Sequence, residues 1–322
     1  MGTGVTGTEK TGSTELDDDD LHRDGVEPAA AVGFGRQAGS YAKVRPAYPA
    51  AVMETLMGLL PPTSDAHVCD LAAGTGILPR QLLDSGYHVT AVEPLLSMRD
   101  ELERQLDKAG VTSVSILNAT AEDLPLEDAS VDAVTVGQAF HWFDPQPALA
   151  EIARVLRPGG VLLMVWNARD EDVGWMSRWG GPQRGRGEIA RVLRRGGVLV
   201  MVWNARDEDV GWMSRWGDLV AELGGGRPYS DHRERLWEDV VAESGSFEPL
   251  EYRSVPHEQS GTPELIVERT RSTSFIAALP PDRHQHVLDE VAELVATHPD
   301  TRGLDRITIP YNTKIYWCRL RA

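Results

Sequence analysis

Residues 68–76 read VCDLAAGTG, the stretch ILPRQLLDSG follows, and the run HVTAVE then ends on Glu93, seventeen residues after Gly76. This order predicts a buried strand, a glycine-bearing turn, a helix and a second strand ending in a carboxylate. It is the opening βαβ unit of an α/β fold that binds nucleotides. Gly74 and Gly76 allow positive φ and a close approach of backbone to ligand, where a Cβ would clash. A carboxylate at the tip of the second strand is placed to accept hydrogen bonds from two ribose hydroxyls. The expected ligand therefore contains a nucleoside.

The loop narrows the choice of nucleoside. A dinucleotide fingerprint starting at Gly74 would put Pro79 where a small residue lets helix and strand pack closely, and proline fits that position poorly. The run Asp70-Leu-Ala-Ala-Gly74-Thr-Gly76 instead resembles the first motif of the class I S-adenosylmethionine (AdoMet) methyltransferases, with Ala72 where the first glycine usually lies. Three further segments extend the likeness. NATAEDLPLEDASVDAV (118–134) follows a third strand, VSIL. VGQAFHWF (136–143) closes a fourth with polar and aromatic groups at its carboxyl end, where open α/β sheets bind ligands. ALAEIARVLRPGGVLLMVWN (148–167) predicts a helix, a Pro-Gly-Gly turn and a fifth strand.

From about residue 40 to 170 the order resembles the type 11 methyltransferase family. Bacterial members carrying QAFHWF and a segment such as YAKVRPAYP, similar to trans-aconitate-type small-molecule methyltransferases, are the nearer likeness. The resemblance implies a Rossmann-like, doubly wound seven-stranded sheet with an antiparallel last strand and helical cap elements. It implies AdoMet as cofactor, held by Asp70, Ala72, Gly74, Gly76, Glu93 and Gln138, with Ala121 and Glu122 at the adenine. It also implies a lid over the cofactor carrying Tyr41 and Arg45, with Trp142 as a pocket wall. An arginine there suits a substrate carboxylate through bidentate pairing. His141 has three readings: a base that deprotonates an acceptor hydroxyl, a hydrogen-bond partner of a substrate carboxylate, or a packing residue of the FHWF cluster.

Composition excludes some partners. A net charge of −17 over 322 residues argues against a nucleic-acid substrate, which requires clustered Lys and Arg, and there is no basic amphipathic stretch for an anionic membrane. Small molecules or neutral surfaces remain as partners, and with the resemblance a small-molecule methyl acceptor is expected. The two cysteines, Cys69 and Cys318, both fall inside predicted strands and form neither a zinc motif nor a disulfide framework. With no secretory leader or long apolar run, a cytoplasmic protein is expected.

Residues 1–33, with the run Asp17–Asp20, lack apolar periodicity and are expected to form a disordered acidic tail, leaving 34–322 as one methyltransferase domain. Inside it lies a tandem duplication. EIARVLRPGGVLLMVWNARDEDVGWMSRWG (151–180) recurs at 188–217 with changes only at Pro158/Arg195 and Leu163/Val200, an offset of 37 residues. Pro145-Gln146 maps onto Pro182-Gln183, so 144–180 is repeated as 181–217. Solenoids need at least three units to stack a core. One copy is therefore expected to form the fifth strand, the first having the better claim, with the other extruded as a poorly packed insertion. Beyond it, 247–260 and 307–320 predict strands and 262–279 and 282–298 predict helices.

The expected function is methyl transfer to a small-molecule oxygen or carboxylate. Two alternatives stand beside it: an AdoMet-binding protein made catalytically degenerate by the duplication, and a nicotinamide oxidoreductase sharing the strand–loop–helix opening.

Overall fold

The computed structural model describes residues 48–321, apart from 63–64, 112–113, 168–190, 194–195, 207–210, 224–240, 242–244, 274–275 and 277–278. The expected acidic tail, Tyr41 and Arg45 lie outside the described residues, as does the side chain of His141. Among the described residues one mixed sheet runs in the order β3-β2-β1-β4-β5-β6-β8-β7. Its strands are β1 (His67–Leu71), β2 (His88–Val92), β3 (Ser115–Leu117), β4 (Val131–Gly137), β5 (Leu156–Asn167), β6 (Val198–Arg206), β7 (Glu251–Gly261) and β8 (Ile307–Arg319). The α/β Rossmann-like class is as expected, and β8 runs antiparallel to both neighbours.

Helices α1 (Ala50–Leu59), α2 (Ile77–Asp84), α3 (Leu96–Ala109) and α4 (Pro145–Val155) flank the sheet, followed by α5 (Gly211–Leu223), α6 (Pro263–Arg271) and α7 (Pro281–Thr297). Each turns a periodic apolar stripe inward: Val52, Met53 and Leu56 in α1, Leu78 and Leu82 in α2, and Met98, Leu102 and Leu106 in α3. None of the described helices is long and apolar enough to cross a membrane.

The strand count corrects the sequence expectation. Among the described residues the sheet has eight strands, not seven, because the second repeat copy supplies a strand of its own. Copy one supplies β5 against β4; copy two supplies β6, parallel to β5. Every residue pairs with its own repeat counterpart, from Val161 opposite Val198 to Asn167 opposite Asn204. The cause lies in the strand itself. VLVMVW has no polar face, so as an insertion it would expose both sides to water, whereas beside its twin both sides are covered. Val198, Val200 and Val202 join Val161, Leu163 and Val165 in one core layer, while Leu199 and Met201 join Leu162, Met164 and Trp166 in the other. Copy two also carries its own helix end to the same layer, since Val192 and Leu193 are buried with Val155 and Leu156.

A second departure is local. The expected Pro158-Gly159-Gly160 turn lies within the span of β5, where the register against β4 jumps between Val131 opposite Leu156 and Ala133 opposite Val161. Gly160 cannot be replaced there without movement, because a Cβ would meet Arg157 O and Leu156 Cδ2 at 2.9 Å each.

Trp166 and Trp203, repeat counterparts, stack with centroids 5.3 Å apart at 19°. Their burial differs although their sequences do not: Trp166 is buried, and Trp203 is only partly covered. Trp166→Ala should therefore cost about 3–5 kcal/mol of folding stability and Trp203→Ala clearly less. Urea unfolding of the two variants checks this order.

Candidate functional site

The site is built at the carboxyl ends of β1 to β4. Asp70, next to last in β1, is 2% exposed and accepts a short hydrogen bond from the Thr135 hydroxyl of β4. Burial, with the charge of Glu93 adding to it and the Thr135 hydrogen bond opposing it, raises the Asp70 carboxyl to about 7.

The turn after β1 is left-handed three times over, at Ala72 (φ +50°), Gly74 (+56°) and Gly76 (+82°). At Gly76 the sidechain-free position is forced, since a Cβ would lie 2.2 Å from Leu102 Cδ1 of α3. Ala72 tolerates the same region at a cost.

Glu93, just past β2 and 4% exposed, is held by backbone donors at both oxygens. Gly74 N–H donates to Oε2 (2.8 Å) and Leu95 N–H to Oε1 (3.0 Å). Both bonds hold the carboxylate beside the glycine turn. Arg99 fixes the surrounding loop by donating to the carbonyls of Glu93 (2.8 Å) and Pro94 (2.7 Å) and to Asn118 Oδ1 (2.8 Å).

Past β3, Ala121 is buried and Glu122 accepts from the Asp144 backbone N–H (2.8 Å). This loop is tied to α4 by two residues that the sequence reading left unassigned. Glu151 accepts from Leu124 N–H (2.9 Å), and Arg154 donates to Leu124 O (2.9 Å) and Leu126 O (2.6 Å). Arg154 holds the Glu151 carboxyl below its usual range. Their i, i+3 spacing on a predicted helix was the available signal.

At the end of β4, Gln138 has φ +60°, donates its backbone N–H to Val165 O (2.8 Å), and buries its amide Nε2 with no partner among the described residues. A strained backbone and an orphaned buried donor together make Gln138 a candidate ligand-facing position. Residues Phe140–Trp142 form a 3-10 turn, which places the His141 backbone at the same edge. Trp142 packs partly buried against the core layer beneath α4. Tyr48, just before α1, is gripped at both backbone groups by Gln81 of α2: its N–H donates to Oε1 (2.9 Å) and its carbonyl accepts from Nε2 (2.7 Å). A Cβ at Gly137 would stand 3.9 Å from the Tyr48 hydroxyl. The structure thus gathers Asp70, Ala72, Gly74, Gly76, Glu93, Ala121, Glu122 and Gln138 along one edge. Thr135, Arg99, Glu151, Arg154 and Gln81 support them and were not read from the sequence.

Comparison with known proteins decides the family. A family model described as a methyltransferase domain matches residues 69–164, from β1 into β5. An uncharacterised methyltransferase of Mycobacterium tuberculosis strain H37Rv is 33% identical over 284 residues, covering 88% of this chain and 93% of the relative. The chain belongs to the class I AdoMet-dependent methyltransferases. This methyltransferase is also 34% identical over 143 residues to a malonyl-[acyl-carrier protein] O-methyltransferase of Enterobacter lignolyticus, covering 44% of this chain and 55% of that one. Among solved structures it shares its fold with a candidate type II methyltransferase from Anaeromyxobacter dehalogenans, at TM-score 0.51 and 20% identity, over 86% of this chain and 97% of that one. Family membership sets aside the oxidoreductase alternative. Two buried acids beside an open, left-handed backbone turn fit a nucleoside that carries a positive charge.

Two outcomes follow from this geometry. A left-handed alanine is strained by about 1 kcal/mol, so Ala72→Gly should stabilise the methyltransferase by roughly that amount in thermal or urea unfolding. For Asp70 the sign is set by the raised pKa: the folded state holds a proton that the unfolded chain releases near pH 4. Stability due to this group falls as pH rises from about 4 to 7 and levels off above that. Asp70→Asn keeps an acceptor for Thr135 and removes the charge, so it should flatten this slope and raise the melting temperature at pH 8.

Proposed function

We propose that the methyltransferase moves the methyl group of AdoMet to an oxygen of a small molecule, a carboxylate or a hydroxyl. The observation that carries the cofactor reading is the buried Glu93 carboxylate at the tip of β2, fixed by Gly74 and Leu95 N–H beside the left-handed turn. In this reading Glu93 takes the ribose hydroxyls, and Ala121 and Glu122 flank the adenine. Asp70 and the Gln138 amide serve the methionine portion and Gly74 and Gly76 the close approach. AdoMet supplies an electrophilic methyl on a sulfonium. The protein's own part is to hold the acceptor oxygen in line and keep water out. An ionised carboxylate needs no base; a hydroxyl needs one, and His141 at the end of β4 is the candidate. The O-methyltransferase relative supports an oxygen acceptor, and the net charge of −17 sits poorly with nucleic acid. The trans-aconitate-type likeness favours a carboxylate, for which Arg45 is the candidate partner and Tyr41 and Trp142 the flanking groups.

The test is transfer from methyl-labelled AdoMet into a metabolite extract. Label in base-labile methyl esters supports the carboxylate, and label in stable ethers the hydroxyl. AdoMet binding without any transfer would support the degenerate alternative. Glu93→Ala should weaken AdoMet binding by about 2–3 kcal/mol in calorimetric titration, because two ribose hydroxyls lose a charged acceptor. Unchanged affinity would remove Glu93 from the site. His141→Asn should lower turnover by about 10²–10⁴-fold if a hydroxyl is methylated and far less if a carboxylate is. A flat rate profile between pH 6 and 8 would accompany the second outcome.

A further inference from the structure

The repeat copies meet the sheet as interchangeable parts. β5 and β6 pair residue for residue with their counterparts, and over 198–204 they differ only at Val200, where β5 has Leu163. β8 docks on the outer edge of β6, with Leu199 opposite Cys318, Met201 opposite Tyr316 and Asn204 opposite Thr313. The counterparts Leu162, Met164 and Asn167 would offer β8 the same partners on β5. Each copy also brings a helix end that buries the same two side chain types on the same face.

The insertion point divides the molecule functionally. All the described residues proposed to hold AdoMet lie on or after β1 to β4, on one side of β5. On the other side, β7 and β8 continue past Arg206, the last described residue of β6: among the described residues Ile307 to Pro310 pair only with β7. α5, α6 and α7 pack on this projecting strand pair through Trp212, Trp216, Ile266, Val291 and Ile309. The result is a helical wall at the carboxyl edge of the sheet, the edge that carries the glycine turn. A bridge between the halves runs from the exposed Arg253 to the half-buried Thr55 hydroxyl of α1 (2.7 Å), and the long arginine side chain can follow a shift.

We infer that the second copy is a one-strand spacer that sets the distance between the cofactor-binding half and the helical wall, and through it the bulk of acceptor admitted. The consequence for the acceptor rests on the proposed methyl transfer; the spacing does not. One inserted parallel strand moves the wall by about 4.8 Å and leaves the glycine turn, Glu93 and Gln138 in place. The spacer is modular because the edge it covers and the edge it presents are the same sequence.

The test is a ruler. Chains with one copy (residues 168–204 removed), two copies and three copies carry spin labels at Glu103→Cys on α3 and Glu290→Cys on α7, both exposed; the native thiols Cys69 and Cys318 are buried. Pulsed electron resonance should give a label distance shorter by about 4–5 Å with one copy and longer by about as much with three. S-adenosylhomocysteine affinity should stay within about threefold across the series. Labelled products from a metabolite extract, weighed by mass spectrometry, should shift to smaller acceptors with one copy and larger ones with three. A folded variant that keeps the two-copy distance overturns the inference, as does failure of both variants to fold. An unchanged product range across shifted distances overturns the control of acceptor size. If S-adenosylhomocysteine binds none of the three chains, the proposed function fails while the distance series still decides the spacer.

Discussion

Two carboxylates, Asp70 and Glu93, are buried at the tips of neighbouring strands, and the remainder of the site follows from keeping them there. An unpaired buried carboxylate costs several kcal/mol, so each needs donors aimed at it. Glu93 takes its donors from the backbone, at Gly74 and Leu95, which requires the turn after β1 to point N–H groups at β2. That orientation demands left-handed residues at 72, 74 and 76. The left-handed Gly76 in turn lets Leu102 of α3 lie against the loop. Asp70 is less well served, with the Thr135 hydroxyl beside it and Glu93 opposing its ionisation. A cation-bearing ligand would relieve that tension, which is the electrostatic argument for the proposed sulfonium site.

Much of this half was legible in the sequence because its signals are local. The VCDLAAGTG turn, the carboxylate ending HVTAVE and the helical stripe through Leu102 and Leu106 each follow from spacing along a few residues. The supports were not legible. Arg154 reaches back 30 residues to Leu124, Gln81 grips Tyr48 across 33, and Thr135 meets Asp70 across 65. Pairings of that separation depend on which strands become neighbours, and no local pattern encodes them.

The repeat shows the same limit differently. A seven-strand template made a second copy look superfluous. The physical requirement is cover for both faces of VLVMVW, and the best cover for a doubly apolar strand is another of the same kind in the same register. Parallel in-register pairing of like with like, familiar from stacked identical segments, here occurs within one chain and extends a globular sheet by a strand. Because β8 finds on β6 the residues it would find on β5, the addition leaves the closing antiparallel strand pair intact.

The central claim is that the edge from Asp70 to Gln138 holds the nucleoside of AdoMet. A crystal structure with S-adenosylhomocysteine tests it most directly. The account predicts both ribose hydroxyls on the Glu93 carboxylate, the adenine along Ala121 and Glu122, and the homocysteine portion within reach of the Gln138 amide. A nucleoside bound elsewhere, or one whose ribose makes no contact with Glu93, would contradict it.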